Sequence, residues 1–244
     1  MEIPFTGKRA LVTGAGKGIG RSTAKALVQY GAEVIALTRT QADLDSLVKE
    51  VPSIKPLCLD ATNTEKVTKA IEELGNIDLL VNNAGINILE SFLDVKIESY
   101  DKIFDINVKA PLFIAQAVAK KMVSNGNGGC IVNVSSQASL IALQDHTVYC
   151  TTKAALDMLT KTMALELGPH KIRVNSVNPT VVLTELGRKA WSDPEKSKPM
   201  LDMIPLGKFA DEEDVVNAIL FLLSDKAAMI TGALLPVDGG RLVH

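Results

Sequence analysis

Several features that mark other classes of protein are scarce or missing in this 244-residue sequence. It has three cysteines and three histidines, and because they are scattered and form no CxxC pair, we expect no metal site. No run of about 18 apolar residues occurs. No block of Lys and Arg stands out, and the first residues lack the layout of a signal peptide. These absences argue against a transmembrane segment, a nucleic-acid partner and an anionic membrane surface, and they predict a cytoplasmic protein.

The composition is that of one globular unit. Hydrophobic residues make up 47% and charged residues 22% of the chain, and the formal net charge is −2. At this length we expect a single large domain over residues 1–244. Short β-branched runs predict strands at Arg9–Gly14, Glu33–Thr38, Lys55–Asp60, Ile77–Asn82, Cys130–Ser135, Ile172–Val177 and Ala233–Asp238. Helical patterns alternate with them near 19–30, 41–50, 63–74, 99–125, 149–167 and 211–224.

This alternation predicts an α/β protein with a three-layer, doubly wound Rossmann fold and a seven-stranded parallel sheet. In the helix predicted over 149–167, Leu156, Leu159, Met163 and Leu167 recur every three or four residues and predict its buried face. Residues 180–210 follow neither pattern. Because long connections in compact domains are usually lids or binding loops, we expect a substrate lid over about 182–210.

A glycine-rich stretch, TGAGKGIG at residues 13–20, follows the first predicted strand and opens the first predicted helix. Gly14, Gly18 and Gly20 leave room for a tight turn and for a pyrophosphate at the helix N-terminus. The other members of this predicted cofactor loop are Gly16, Lys17 and Ile19. A Gly-rich turn that merely joins a strand to a helix is the alternative, but the position after the first strand favours dinucleotide binding.

The end of the second predicted strand, Thr38-Arg39-Thr40, indicates which dinucleotide is bound. Folds that bind NAD usually place an Asp or Glu here for the ribose hydroxyls, whereas the nearest acid is Asp43, inside the next helix. Arg39 offers paired donors to a phosphate and Lys17 adds a second cation. Each of them alone could be a solvated surface residue, but together they favour NADP(H) over NAD(H).

A second group of polar residues follows the later strands. Tyr149 and Lys153 are four residues apart and share one face of a predicted helix. Ser136 follows the fifth strand, where open parallel sheets bind ligands. Asn107 lies inside a predicted helix. Asparagine is disfavoured in the interior of a helix, so its presence there indicates a specific role.

These motifs together resemble those of the classical short-chain dehydrogenase/reductases. The matching motifs are TGxxxGxG at 13–20, NNAG at 82–85, Asn107, Ser136 and the Tyr149-x-x-x-Lys153 pair. Longer stretches, including RTQADLDSL and residues 148–184, resemble the NADPH-preferring carbonyl reductases of that family. The resemblance spans nearly the whole chain. One departure is Pro179-Thr180, where the family at large often has Pro-Gly.

The resemblance implies a role for each matching residue. Tyr149 would exchange a proton with the carbonyl oxygen, and a nearby cation, together with the oxidised nicotinamide ring, should lower its pKa from about 10. Ser136 would hydrogen-bond the same oxygen, Lys153 would also bind the nicotinamide ribose, and Asn107 would anchor a water in a proton relay. Further cofactor contacts implied by the family are Asp60, Ala61, Asn83, Ala84, Gly85, Val182 and Thr184.

The substrate wall has four further candidates: Gln137, Leu143, His146 and Trp191. His146 could bind a sugar hydroxyl, but a helix-capping or surface histidine is about as plausible. Trp191 is the only tryptophan of the chain, and simply anchoring the lid is its alternative role.

The expected function is NADPH-dependent reduction of a small carbonyl or sugar, such as L-xylulose to xylitol, and of α-dicarbonyls such as diacetyl. The resemblance also implies a homotetramer built on the helices at 99–125 and 149–167. Two alternatives stay open at this point. The first is a reductase of 3-oxoacyl thioesters or larger ketones, and the second is a non-catalytic dinucleotide-binding protein.

Overall fold

Seven parallel strands form one sheet in the computed structural model, which describes residues 4–243. The strands are β1 Arg9–Thr13, β2 Glu33–Thr38, β3 Lys55–Cys58, β4 Leu79–Asn82, β5 Gly129–Val134, β6 Ile172–Pro179 and β7 Leu234–Val237. Their order is β3-β2-β1-β4-β5-β6-β7, and every neighbouring pair is parallel. The predicted seven-stranded parallel sheet is confirmed. His244 lies outside the described residues.

Helices cover both faces of this sheet. The α-helices of the described residues are α1 Gly18–Gln29, α2 Gln41–Glu50, α3 Thr64–Glu73, α4 Ile97–Phe104, α5 Ala110–Asn125, α6 Thr147–Leu167, α7 Glu185–Ala190, α8 Pro194–Leu201 and α9 Glu212–Leu223. Buried side chains of α1, α2 and α9 form one core with the sheet, and those of α3, α5 and α6 form the other. The three-layer, doubly wound arrangement is therefore confirmed. Within the part of the chain described, no helix combines the length and the apolar character needed to span a membrane.

The order of the strands reverses at β1. From β1 the chain moves outward to β2 and β3, and then returns so that β4 lies on the other side of β1. The loops that follow β1 and β4 therefore leave the sheet in opposite directions and open a crevice at its carboxyl edge. Ligands of open α/β sheets bind in such a crevice.

Helical residues run without a break from Ile97 to Asn125, which confirms the helix predicted over 99–125, but this stretch is not a regular α-helix throughout. Residues Asp105–Lys109 form a π-helical turn between α4 and α5. Its central residue, Asn107, is fully buried. A π-helical turn adds a residue to the helical repeat and redirects the side chains within it, which is why such turns are frequent at functional sites.

The buried face predicted for α6 is also partly wrong. Leu156 is buried, but Leu159, Met163 and Leu167 are only half-buried. The buried face instead carries Thr152, Lys153, Leu156, Asp157, Thr160 and Ala164, so it contains polar and charged side chains. The apolar spacing was real, but it marks the side of the helix that lines a groove against α5.

The stretch expected to be an irregular lid contains α7 and α8. Its two ends are held together, because the Leu183 N–H donates to the Ala210 carbonyl at 2.8 Å and the Ala210 N–H donates to the Val181 carbonyl at 3.1 Å. The segment is therefore a closed excursion from the end of β6. It carries short helices because Thr184 and Asp193 cap their N-termini by accepting hydrogen bonds from the first turns.

Candidate active site

The glycine loop packs so tightly against its neighbours that side chains are excluded. Gly14 has φ +63°, and a Cβ there would lie 2.9 Å from the Cα of Ala84. Gly18, the first residue of α1, has φ +53°, and its Cβ would lie 3.1 Å from Cγ2 of Thr184. The loop after β1 therefore contacts both the loop after β4 and the start of the lid segment, and the free N–H groups of α1 face this junction.

Asn83 holds the two loops together. Its side-chain amide donates to the carbonyls of Thr13 and Gly14 at 3.1 and 3.2 Å. In return, the Thr13 hydroxyl accepts the N–H groups of Asn83 and Ala84 at 3.0 and 3.1 Å. The NNAG segment thus fixes the backbone of the glycine loop as well as lining the crevice.

The corner beside the end of β2 contains the two predicted phosphate-binding cations. Arg39 is exposed, and its charge contributes to holding the pKa of Asp60 below its usual value, although the backbone N–H of Thr62 is the larger cause. Lys17 Nζ lies 3.6 Å from a carboxylate oxygen of Asp43. The sequence placed Asp43 away from the cofactor, whereas the fold brings it against the glycine loop, where a Cβ on Gly16 would lie 2.9 Å from Asp43 Cβ.

Two cavities meet at the crevice. The larger, of about 500 Å³, is lined by Ile19, Asn83, Gly85, Ile86, Asn87, Val134, Ser135, Ser136, Tyr149, Lys153, Pro179, Thr180, Val182, Thr184 and Gly187. The smaller, of about 150 Å³, is lined by Gly14, Leu37, Thr38, Arg39, Leu59, Asp60, Ala61, Ala84, Gly85, Ile86 and Ile106. Gly85 and Ile86 belong to both. The remaining predicted cofactor residues, Gly16, Lys17, Gly18, Gly20 and Thr40, line neither cavity and lie on the glycine loop and the turn after β2.

These features fit an extended dinucleotide. The glycines form a cradle that side chains would fill, the N-terminus of α1 offers free N–H groups, and two cations lie at the outer end. The larger cavity at the other end holds Ser136, Tyr149 and Lys153. A nicotinamide dinucleotide needs this combination of a phosphate cradle at one end and reactive groups at the other.

The Tyr149 phenol lies at the larger cavity beside Ser136. Burial raises the pKa of Tyr149, and hydrogen bonding to the Ser136 hydroxyl opposes that rise in part. The lowered pKa that we expected is therefore not found among the groups of the chain itself, because loss of hydration outweighs the neighbouring groups. The Ser136 oxygen accepts the Ala138 N–H at 3.1 Å, which leaves its own O–H as the donor for the phenol or for a ligand.

Lys153 is buried under the Tyr149 ring, with Nζ 5.6 Å from the ring centroid. One of its N–H groups donates to the Val134 carbonyl at 2.9 Å, so two N–H groups remain available to a ligand. Burial lowers the pKa of Lys153 from 10.5 to about 8, and the negative charge of Asp157 opposes this change. The ammonium is thus held in a site that disfavours it.

Asn107 contacts the cavity wall rather than Tyr149 or Lys153. Its side chain accepts the Ile86 N–H and donates to the Ile86 carbonyl, both at 2.9 Å. It also donates to the Thr152 hydroxyl at 3.1 Å, on the helix that carries the Tyr-Lys pair. Asn107 therefore ties the rim after NNAG to α6, and its role as a water anchor stays a prediction.

The four candidates for the substrate wall are not placed as we expected. Gln137 is buried, at 2% exposed, because it starts a 3₁₀ turn that packs against α6. None of Gln137, Leu143, His146 and Trp191 lines the larger cavity. His146 occupies the N-cap position of α6 without a capping side-chain bond, and its ring centre lies 6.1 Å from that of Tyr149.

Trp191 packs inside the lid segment. Its ring centre lies 5.3 Å from that of Phe209, and Lys196 Nζ lies 5.3 Å from the Trp191 ring centre. These contacts agree with its alternative role as an anchor. In contrast, Asn87 and Thr180 line the larger cavity and were not singled out as substrate contacts. Their positions, just after NNAG and at the end of β6, were the available signals.

Comparison with known proteins places this geometry in context. A family model described as enoyl-(acyl carrier protein) reductase matches residues 14–241. The chain is 60% identical over 243 residues to an L-xylulose reductase of Mesocricetus auratus, covering 100% of both chains. It is also 60% identical over 242 residues to a D-erythrulose reductase of Gallus gallus, covering 99% of this chain and 98% of the relative.

Solved structures show the same architecture. A short-chain type dehydrogenase/reductase from Mycobacterium marinum superposes with a TM-score of 0.91 at 37% identity, covering 99% of this chain and 98% of that one. A structure described as a putative 2-deoxy-D-gluconate 3-dehydrogenase from Agrobacterium tumefaciens, with bound NADP, superposes with a TM-score of 0.93 at 32% identity. It covers 100% of this chain and 99% of that one.

The buried ammonium of Lys153 generates a stability prediction. Its pKa falls from 10.5 to about 8 on folding, so below pH 8 the charged form costs about 3 kcal/mol, and this cost fades as the pH rises towards 10.5. Lys153→Met removes the cost but also the bond to Val134, so at pH 7 we expect a net stabilisation of about 1–2 kcal/mol. The increase in the free energy of unfolding should be smaller at pH 10.5, where the wild-type lysine is largely neutral when buried.

The measurement is urea unfolding at both pH values, with Lys161→Met, an exposed position of the same helix, as the control. The control should show no gain at pH 7. A Lys153→Met gain that is the same at pH 7 and pH 10.5 would contradict the explanation based on burial of the charge.

Proposed function

This chain belongs to the short-chain dehydrogenase/reductase family, and from that premise we propose that it is an NADPH-dependent reductase of small carbonyl compounds. As a member of this family it is an oxidoreductase acting on CH–OH groups and the corresponding carbonyls. The proposed reaction is the reduction of L-xylulose to xylitol, with α-dicarbonyls such as diacetyl as further substrates. A purely structural role for the dinucleotide site is not favoured, since Ser136, Tyr149 and Lys153 share one cavity.

The observation that carries the substrate proposal is the full-length similarity to a reductase of a five-carbon ketose. The larger cavity supports it. Its volume of about 500 Å³ must hold both a nicotinamide and the substrate, and its wall includes polar side chains such as Asn87 and Thr180. A small polyhydroxylated or dicarbonyl compound suits this space better than a long acyl chain does.

The proposed mechanism assigns one task to each side chain. Bound NADPH supplies the hydride for the carbonyl carbon. The Ser136 hydroxyl, whose lone pair is already engaged by the Ala138 N–H, donates to the carbonyl oxygen and stabilises its developing negative charge. The Tyr149 phenol transfers its proton to that oxygen, completing the alcohol. Burial raises the pKa of Tyr149, which keeps the phenol protonated for the reductive direction.

Lys153 and Asn107 support this pair. The two N–H groups of Lys153 that Val134 leaves free would bind the nicotinamide ribose, and the positive charge would stabilise the phenolate left after proton transfer. Asn107 holds the Ile86 backbone at the rim of the cavity, and the water it is expected to anchor would return a proton through Lys153. Asn83, Gly85, Val182 and Thr184 would hold the nicotinamide half of the cofactor.

The choice of NADPH rests on the outer corner of the crevice. Arg39 is exposed beside the smaller cavity, and Asp60 and Ala61 would face the adenine there. Among the described residues, the ion pair of Lys17 is with Asp43, at 3.6 Å and with most of the lysine side chain exposed, and such a pair has small value in water. A 2′-phosphate would therefore attract both cations without breaking a strong bond.

The proposed homotetramer would use the groove between α5 and α6. This groove, of about 450 Å³, is lined by apolar side chains that include Leu112, Leu159 and Met163, and polar side chains such as Lys120 and Glu166 also line it. Apolar side chains exposed along one face usually mark a protein interface. We propose that a second copy of this chain covers them.

A substrate panel tests the proposed function. L-xylulose, diacetyl and a short 3-oxoacyl thioester are each offered with NADPH or NADH while nicotinamide absorbance is followed. We expect NADPH-dependent turnover of L-xylulose and diacetyl, with kcat/KM at least about tenfold above that for the thioester. Preference for the thioester would replace the proposal with the acyl reductase alternative.

Tyr149→Phe is the control variant within this panel. It should lower kcat by about 10²–10⁴-fold, because general acid catalysis is lost, while NADPH still binds. Tyr100→Phe makes the same chemical change at an exposed residue that stacks on Phe104, and it should keep wild-type kcat. Full activity of Tyr149→Phe would rule out the proposed mechanism.

Arg39→Asp tests the cofactor choice. We expect the ratio of kcat/KM with NADPH to kcat/KM with NADH to fall about 10–100-fold, since a phosphate contact is replaced by repulsion. Lys49→Asp makes an equal change of charge on the exposed face of α2 and should leave the ratio unchanged. An unchanged ratio for Arg39→Asp would mean that Arg39 does not bind the 2′-phosphate of NADPH.

Met163→Glu tests the oligomer. A carboxylate in the apolar groove should split the tetramer into smaller species, measured as molecular mass by light scattering after size exclusion. Tyr30→Glu, an exposed aromatic at the end of α1, should leave the mass unchanged. A tetramer that survives Met163→Glu would place the contact elsewhere.

A further inference from the structure

A buried polar chain runs from α6 to the backbone of Ser136 and lies outside the motifs described above. Asp157, one of its members, is only 4% exposed, although it is a carboxylate on the core side of α6. It makes no ion pair within 4.0 Å among the described residues. A buried carboxylate is costly unless hydrogen bonds compensate it.

Asn178 supplies that compensation. This residue is fully buried near the end of β6, and its side-chain amide donates to Asp157 Oδ2 at 2.8 Å. The Ser176 hydroxyl lies 3.2 Å from Asp157 Oδ1 and 2.8 Å from Asn178 Oδ1. The bond from Asn178 to Asp157 is charge-assisted and thus stronger than a bond between neutral groups.

The other N–H of the Asn178 amide points towards the proposed active site. It donates to the Ser139 hydroxyl at 2.9 Å, and Ser139 donates in turn to the Ser136 carbonyl at 2.7 Å. The Asn178 amide also lies 3.3 Å from this same carbonyl. Both amide hydrogens are used, so Asn178 connects the carboxylate on α6 to the turn that holds Ser136.

We propose that Asp157, Asn178 and Ser139 are positioning residues that hold Ser136 in the orientation needed to donate to the carbonyl oxygen. Ser136 follows the end of β5 and begins the 3₁₀ turn Gln137–Ser139. Fixing its carbonyl fixes the direction of its Cα–Cβ bond, and the Ala138 N–H, which donates to the hydroxyl oxygen at 3.1 Å, then fixes the rotation about that bond. Tyr149 stands two helical turns before Asp157 on α6, so the chain ties both proposed donors to one rigid helix.

The length of the helical repeat explains why one helix can serve both donors. Tyr149, Lys153 and Asp157 are spaced by four residues, which places them along one face of α6. The first two line the larger cavity, and the third joins the polar chain. The polar chain thus links the position of the serine, through β6, to the helix that carries the phenol.

The test compares Asn178→Ala with Asn133→Ala in the full-length enzyme. Asn133 is also fully buried and also bonds to α6, through the Thr160 hydroxyl at 2.8 Å, but its other hydrogen bond comes from the Asn82 amide at 3.0 Å instead of leading to Ser136. Both variants should lower the melting temperature. Only Asn178→Ala should lower kcat, by about 10–100-fold, as expected for a misplaced donor, while the Kd for NADPH, measured by fluorescence, stays at the wild-type value.

Variants of Asp157 separate the hydrogen bond from the charge. Asp157→Ala should lower kcat as Asn178→Ala does. Asp157→Asn can still accept from Asn178 with its carbonyl oxygen and donate to Ser176, so it should recover most of the lost rate. If Asn178→Ala does not fold, Ser139→Ala removes the middle link from a half-buried position and should lower kcat without changing NADPH binding.

This inference rests on the proposed function, and the two can fail separately. A wild-type enzyme that reduces no carbonyl compound would overturn the proposed function. An active wild-type enzyme whose kcat falls equally in Asn178→Ala and Asn133→Ala, or in neither, would overturn the positioning role. An Asp157→Asn variant that is no more active than Asp157→Ala would also overturn it.

Discussion

Gly14 and Ala84 approach so closely that a methyl group on the glycine would lie 2.9 Å from the Ala84 Cα, and the crevice depends on this contact. It joins the loop after β1 to the loop after β4 at the point where the strand order reverses. Asn83 and Thr13 seal the junction with reciprocal hydrogen bonds. Since a cofactor would have to pass over this junction, the packing that fixes it also sets the spacing between the phosphate cradle and the reactive groups.

On the other side of the crevice, α6 both packs against the sheet and carries charged side chains on its buried face. A helix packed against a sheet normally buries apolar side chains, yet α6 buries Lys153 and Asp157. Burial lowers the pKa of Lys153 to about 8, so the fold holds a charge at a cost in stability. The negative charge of Asp157 and the hydrogen bond to the Val134 carbonyl offset part of that cost and leave the ammonium facing the cavity.

The groups around the cavity are rigid for different reasons. Tyr149 and Lys153 belong to a helix of 21 residues, whereas Ser136 lies in a turn held by side-chain hydrogen bonds. Asn107 holds the Ile86 backbone from a π-helical turn, which a regular helix would aim elsewhere. The lid segment is closed on itself by the backbone hydrogen bonds of Ala210 with Leu183 and Val181, and Trp191 packs on Phe209 within it.

The sequence by itself determined the sheet, the order of its elements and the motifs, because strand and helix periodicities and glycine spacing are local properties of the chain. It could not locate Asp43 beside Lys17 or Gln137 in the core, because these contacts depend on how distant segments pack. Nor could it reveal the partners of Asp157, since an isolated acid in an amphipathic pattern resembles a surface residue. Burial also raises the pKa of Tyr149, opposite to the direction that we expected from its neighbours along the chain. The tertiary structure alone decided these points, because solvation and hydrogen bonding depend on neighbours that are far apart along the chain.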